Sequence, residues 1–171
     1  MNWDAFGALA EGLGALVIIV SILYLSRQIR ESTRYASAEA ERHIQESFIA
    51  IHDSLSSDRE AFLAFRKALA GFDDLSDAEK AHAHIRFNIF INHLEMVLRM
   101  KDKSLVDAEI ADTYGNVVVG VMSTPGGQEY WNRSGHTYQK NSRLHINERL
   151  ADGSEFGDFR EVFPYMFSDE A

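Results

Sequence analysis

The sequence predicts an all-α protein, in which an N-terminal transmembrane helix continues into a cytoplasmic helical bundle. Three observations carry this expectation. Residues 6–25, FGALAEGLGALVIIVSILYL, form one apolar run whose single charged side chain is Glu11. Only two prolines occur in 171 residues, Pro125 and Pro164, which leaves long stretches free to be helical. Beyond the apolar run, hydrophobic residues recur at spacings of three and four behind serine-based caps, the period of a helix with one buried face.

At 1.5 Å per residue, about 20 helical residues span roughly 30 Å, the thickness of a bilayer core. Trp3 and Tyr24 stand near the two ends of the run, where amphipathic rings favour the interfaces. A cleaved signal peptide is the first rival, but Asp4 precedes the run and no small-residue cleavage site follows Leu25. A buried core helix is the second rival, since the strictly charge-free part, Gly12 to Leu25, is only about 14 residues. Arg27, Arg30 and Arg34 follow the run and no basic residue precedes it. By the positive-inside rule the N-terminus lies outside, and the remainder of a single-pass chain is cytoplasmic.

The same helix carries a stripe. Gly7, Glu11, Gly14, Ile18, Ser21, Leu25 and Gln28 recur at spacings of four and three, and most are small or polar. Ala8–Gly12 and Ala10–Gly14 add small pairs four apart. Small residues let two helices approach closely, so the stripe points to self-association in the bilayer. The alternative is a polar path lined by Glu11, Ser21 and Gln28 within a ring of subunits, because an intramembrane carboxylate is costly unless it serves a purpose. Glu11 stands near the outer end, however, and can snorkel to the interface.

From Ser26 to Ile51 the sequence is rich in Arg, Glu, Gln and Ala, which propagate a helix. A connecting helix is expected over 26–54, solvated until Ile44, Phe48 and Ile51, with a helical domain over 55–150 and an acidic, aromatic tail over 151–171. Ser57 and Glu60 make a capping box for a helix carrying Phe62, Phe65 and Leu69 and stopping at Gly71. Ser76 and Glu79 make a second box, opening a helix to about Lys101. Its Phe87, Phe90, Ile91, Leu94, Val97 and Leu98 form the strongest periodicity of the domain and predict the central core helix. Ser104 is expected to cap the next helix, with Ile110, Tyr114, Val117, Val118 and Val121 on its face. Thr124-Pro125 reads as an N-cap followed by proline in the first turn, opening a short helix with Tyr130 and Trp131. A last helix is expected over His136 to Leu150. The tail holds Phe156, Phe159, Phe163, Tyr165 and Phe167, too aromatic to stay free in water, and is expected to dock on its own domain or a neighbour. Trp131, Tyr130, Phe163 and Tyr165 are the candidate interaction surface.

The chemistry of the sequence is sparse. The absence of cysteine excludes disulfides, cysteine-ligated metal and thiol catalysis. A net charge of −9 argues against nucleic acid as a partner. Glu79-x-x-His82 has the spacing of one half of a di-iron motif, but a second half and two further glutamates are needed on facing helices. His93 and Glu95 do not share a helix face, nor do His82 and His84. Asn88 and Asn92 lie beside the core stripe and suit hydrogen bonds within the bundle. Pro125-Gly126-Gly127 lacks the flanking lysine of a phosphate loop. No cofactor and no catalytic constellation is expected.

The stretch GLGALVIIVSILYLSRQIRESTR resembles the N-terminus of a group of uncharacterised bacterial single-pass membrane proteins. These have a glycine-bearing hydrophobic helix ending in a YLxxQIRxxT-type sequence, matched here by Tyr24-Leu25, Gln28-Ile29-Arg30 and Thr33. Asn92 to Met100 and Pro125 to Trp131 are similar to two later elements of the group. The resemblance implies a bacterial inner-membrane location and supplies no catalytic residues. The function expected is that of a non-enzymatic, self-associating membrane protein whose cytoplasmic domain is a scaffold or meets a protein partner. A homo-oligomeric channel and a membrane-bound metal protein or enzyme using Glu79, His82 or His93 are the alternatives.

Overall fold

The computed structural model describes residues 3–153 and 159–167, apart from the side chains of residues 3–6, 8, 10, 160 and 165. The expectations placed on the side chains of Trp3, Ala8, Ala10, Phe156 and Tyr165 therefore lie outside the described residues. Among those described the chain is all-α and has no strand. The helices are α1 (Trp3–Ser57), α2 (Arg59–Ala70), α3 (Asp77–Asp102), α4 (Ala108–Ser123), α5 (Pro125–Ser134), α6 (Lys140–Asp152) and α7 (Phe159–Val162), with short 3-10 turns at Gly135–Thr137 and Pro164–Met166. The chain divides into two compact units, Met1–Glu39 and Ala40–Ala171. The first consists, where described, of the N-terminal part of α1, all but fully exposed along its length.

The second unit is built around α3. Phe87, Ile91, Leu94 and Val97 are completely buried, as their spacing requires of a central helix. Helix α3 packs on α2, α4 and α6, and α5 packs on α2 and α4. The Phe87 ring stacks on Tyr130 of α5 at 4.5 Å and meets Phe65 of α2 edge-on at 5.4 Å. Phe72 joins Tyr130 edge-on at 5.3 Å. Each such pair contributes roughly 0.5–1.5 kcal/mol beyond the area it buries. Ala40, Ile44 and Ile51 of α1 close the core from the N-terminal side of this unit, so half of the expected connecting helix is domain rather than spacer. The tail docks on its own domain, with Phe159 buried and Phe163, Met166 and Phe167 packed against the core.

Local chemistry explains most of the boundaries. The Ser76–Glu79 capping box forms reciprocally, and Thr124 accepts the Gly127 N–H at 3.1 Å with Pro125 in the first turn. Three expected boundaries are corrected. Ser57 stays within α1, donating its hydroxyl to the Ser54 carbonyl, and the cap of α2 is Asp58, whose carboxylate accepts the Ala61 N–H at 3.0 Å. Ser104 opens no helix. It closes α3 in the left-handed region (φ 56°), with its N–H on the Lys101 carbonyl and the Leu105 N–H on the Met100 carbonyl, a Schellman ending. Helix α4 starts after Asp107 instead, and its buried face is wider than expected, taking in Ala111, Gly115, Val119 and Met122. His136 falls in the 3-10 turn, so the last long helix begins at Lys140.

Gly126 is fixed by close approach. A Cβ there would come within 1.7 Å of the Ala68 carbonyl oxygen, backbone that cannot swing aside. Gly126→Ala is expected to lower unfolding stability by about 3 kcal/mol, the upper end for overpacking, as measured by denaturant midpoint. Ser104→Gly is expected to raise it by about 1 kcal/mol, since the left-handed conformation carries a steric cost of that order for a residue with a Cβ. No gain from Ser104→Gly would mean that this turn relaxes differently in solution.

Candidate functional site

The polar face read from the sequence lies on α1. Gly7, Glu11, Gly14, Ser21 and Gln28 are all exposed within the chain, as Ile18 and Leu25 are. Nothing stands within 4 Å of a Cβ placed on Gly7, Gly12 or Gly14, so this side of the helix is open to a neighbour. The Ser21 hydroxyl donates to the Val17 carbonyl at 2.7 Å, and Thr33 does the same to Ile29 at 3.0 Å. Such back-bonding satisfies a hydroxyl without water, which an apolar medium demands. The apolar side chains around the stripe are open as well: from Leu9 to Leu25 each large one is between 53% and 66% exposed. Among the described residues, α1 is the helix long and apolar enough to cross a membrane.

Arg27, Arg30 and Arg34 follow directly, all exposed on the helix surface. Arg27 lies 3.5 Å from Glu31 one turn on, an exposed pair worth only about 0.3–0.5 kcal/mol. The basic flank is thus largely free to meet anionic groups.

Two members of the candidate interaction surface are corrected. Tyr130 is completely buried and Trp131 is 7% exposed, because α5 turns them into the aromatic core rather than outward. Their polar ends are satisfied inside the domain. The Tyr130 hydroxyl bonds the Tyr138 hydroxyl at 2.7 Å and His84 Nδ1 at 3.2 Å, and the Trp131 indole N–H donates to Asn147 at 2.8 Å. Burial raises the pKa of both tyrosines, so neither is poised to act as a base. Phe163 is half-buried against Phe159, at 4.8 Å between ring centroids.

The other polar side chains are engaged structurally. Glu79 is held by Lys67 and Ser76, which lower its pKa from 4.5 to about 2. His82 is not joined to it by any bond in a ligand set, and among the described residues no group of three His, Asp or Glu side chains stands ready for a metal ion. Glu95 accepts the Gln139 N–H at 2.8 Å, and Glu129 accepts the N–H groups of Phe72 and Asp73 at 2.7 and 2.9 Å. Asn92 donates to Asn88 on the same helix. Arg149 of α6 binds Asp112 at 2.6 Å and Asn116, both on α4. The bonds of Glu95, Glu129 and Arg149 were not legible in the sequence because their partners stand more than thirty positions away, as with Arg149 and Asp112.

No family model, curated protein or solved structure matches the chain.

His93 is an interior group whose protonation is coupled to folding. Its ring sits between Phe48 and Tyr114, at 6.0 and 5.1 Å, and its Nε2 has no hydrogen-bond partner among the described residues. Burial, with His43 adding repulsion, lowers its pKa from 6.5 to about 4. Between those values the unfolded chain binds the extra proton and the folded chain does not. The stability is therefore complete above about pH 6.5 and is lost as pH falls towards 4. His145, also lowered by burial, acts in the same sense, whereas Glu79 acts only below its ordinary value of 4.5. The denaturation midpoint is expected to fall between about pH 7 and pH 5, and to fall less in His93→Gln. Equal falls in the two proteins would place the titration elsewhere.

Proposed function

We propose that this chain is a non-enzymatic, self-associating membrane protein, with residues 6–25 in the bilayer and the helical unit from Ala40 onward serving as a scaffold or meeting a protein partner. The observation that supports it is the exposure of the apolar side chains of α1, between 53% and 66% from Leu9 to Leu25. Burying a Leu, Ile or Val contributes about 1.5–3 kcal/mol, so half-burying ten such side chains is worth roughly 10 kcal/mol. That equals the whole stability of an ordinary domain, which runs about 5–15 kcal/mol. Insertion in a bilayer removes that cost. The basic flank of Arg27, Arg30 and Arg34 favours the N-terminus outside and the helical unit in the cytoplasm of a bacterial cell.

Self-association is supported by the open glycine face at Gly7 and Gly14. The channel alternative draws on the same stripe, but the Ser21 proton is already used by the helix backbone, which fits a packed face better than a wet one. Glu11 at the outer end reaches the interface by snorkelling.

The chain is expected to stay with membranes through an alkaline carbonate wash, and to run in detergent at the mass of a dimer or larger species. Gly14→Leu is expected to weaken that association at least tenfold, about 1.4 kcal/mol, with unchanged helicity. Release by carbonate would sink the membrane assignment, and a strict monomer in mild detergent would sink the self-association.

A further inference from the structure

The second unit holds a cavity of about 390 Å³, within the size range of small-molecule sites. Five segments converge on it. Leu55 of α1, Phe65 of α2, Phe90 of α3 and Val121 of α4 form the walls, and Phe159 and Phe163 of the C-terminal segment close one side. Ten of its twelve lining residues are apolar. The pocket is open to solvent on one side, and a concave, mostly apolar lining with a few polar groups at its rim suits an apolar ligand with a polar end.

The polar groups of the lining are His52 and Ser56, one helical turn apart on α1 and both exposed. The His52 ring is held edge-on to Phe48 at 4.4 Å, which fixes its orientation at the rim. The Ser56 hydroxyl donates to the Asp53 carbonyl of its own helix at 3.1 Å, a long bond that it would exchange for one to a ligand. An imidazole N–H and a hydroxyl placed side by side present two donors to one acceptor group. We infer that this cavity binds one free fatty acid, its chain between the C-terminal segment and α1–α4 and its carboxylate at His52 and Ser56. The membrane reading enters only as the source of the ligand.

The test uses the full chain in lipid nanodiscs without detergent, a long-chain fatty acid bearing a mid-chain diazirine, and peptide mapping after irradiation. Labelling is expected on residues 48–56 and 159–166, competed by the unmodified acid. Val117→Phe and Leu55→Phe, two independent cavity fillers, are expected to cut that labelling at least fivefold in protein of unchanged helicity. His52→Ala is expected to lower labelling by the acid several-fold while leaving that by the matching fatty alcohol unchanged. Label confined to residues 9–25 would overturn the cavity assignment and leave the membrane reading standing. Label on 9–25 is also expected, from acid dissolved in the bilayer and equal in the cavity-filled variants; its absence beside cavity label would overturn the membrane reading and leave the cavity assignment standing. Cavity labelling by a diazirine phospholipid and not by the free acid would overturn the choice of ligand, and equal loss of acid and alcohol in His52→Ala would overturn the carboxylate contact.

Discussion

From Leu9 to Leu25 the chain presents a helix whose large apolar side chains are all more than half exposed, with no core of its own to fold onto. Removing that surface from water is the strongest demand in the molecule, and lipid together with other copies of the same helix, the setting proposed above, meets it. The segment is made for that setting. Its backbone hydrogen bonds are internal to the helix, its Ser21 hydroxyl is turned back onto Val17, and its small residues leave room for close approach. The arginines lie together on one side in sequence, the ground for the orientation proposed above.

The unit from Ala40 onward answers a different demand, that of an aqueous domain with one packed interior. Its polar bonds are structural in character. Glu129 receives the N–H groups where α2 gives way to the following turn, Glu95 receives the N–H before α6, and Arg149 ties α6 to α4. Glu129 and Glu95 accept backbone N–H groups that stand 44 to 57 positions away, so each joins separate segments of the domain. The aromatic cluster of Phe65, Phe72, Phe87 and Tyr130 joins α2, α3 and α5, so loss of any one ring disturbs three elements together. An apolar space beneath the C-terminal segment leaves part of this interior open.

What the sequence made legible follows the range of the interactions involved. The Ser76–Glu79 box and the Thr124-Pro125 start involve residues within four positions of each other, and both form as read. Ser104 shows the limit of a local rule: a serine before an apolar stretch suits the start of one helix, yet the same residue ends the helix before it, and only the pairing of Leu105 with Met100 decides. Ser57 lost the cap to its neighbour Asp58, an equally good capping residue one position on. Tyr130 and Trp131 were misplaced on the surface because a helix as short as α5 gives too few turns to show which face is inward. The docking of the tail was visible in its aromatic content, whereas the cavity it helps to enclose was not, since its walls come from five separated segments with no common period.

The central claim is that α1 passes through a bilayer between Phe6 and Leu25 with its basic flank inside. The chain has no cysteine, so single cysteines can be introduced without first removing any. Labelling a series of single-cysteine variants from Leu9 to Tyr35 in intact cells, with a membrane-impermeant maleimide, reads the topology directly. The account predicts a block of unreactive positions through the apolar run, with Tyr35 becoming reactive only once the membrane is opened. Reactive positions scattered through Leu13 to Leu25 in intact cells, or Tyr35 labelled from outside, would contradict it.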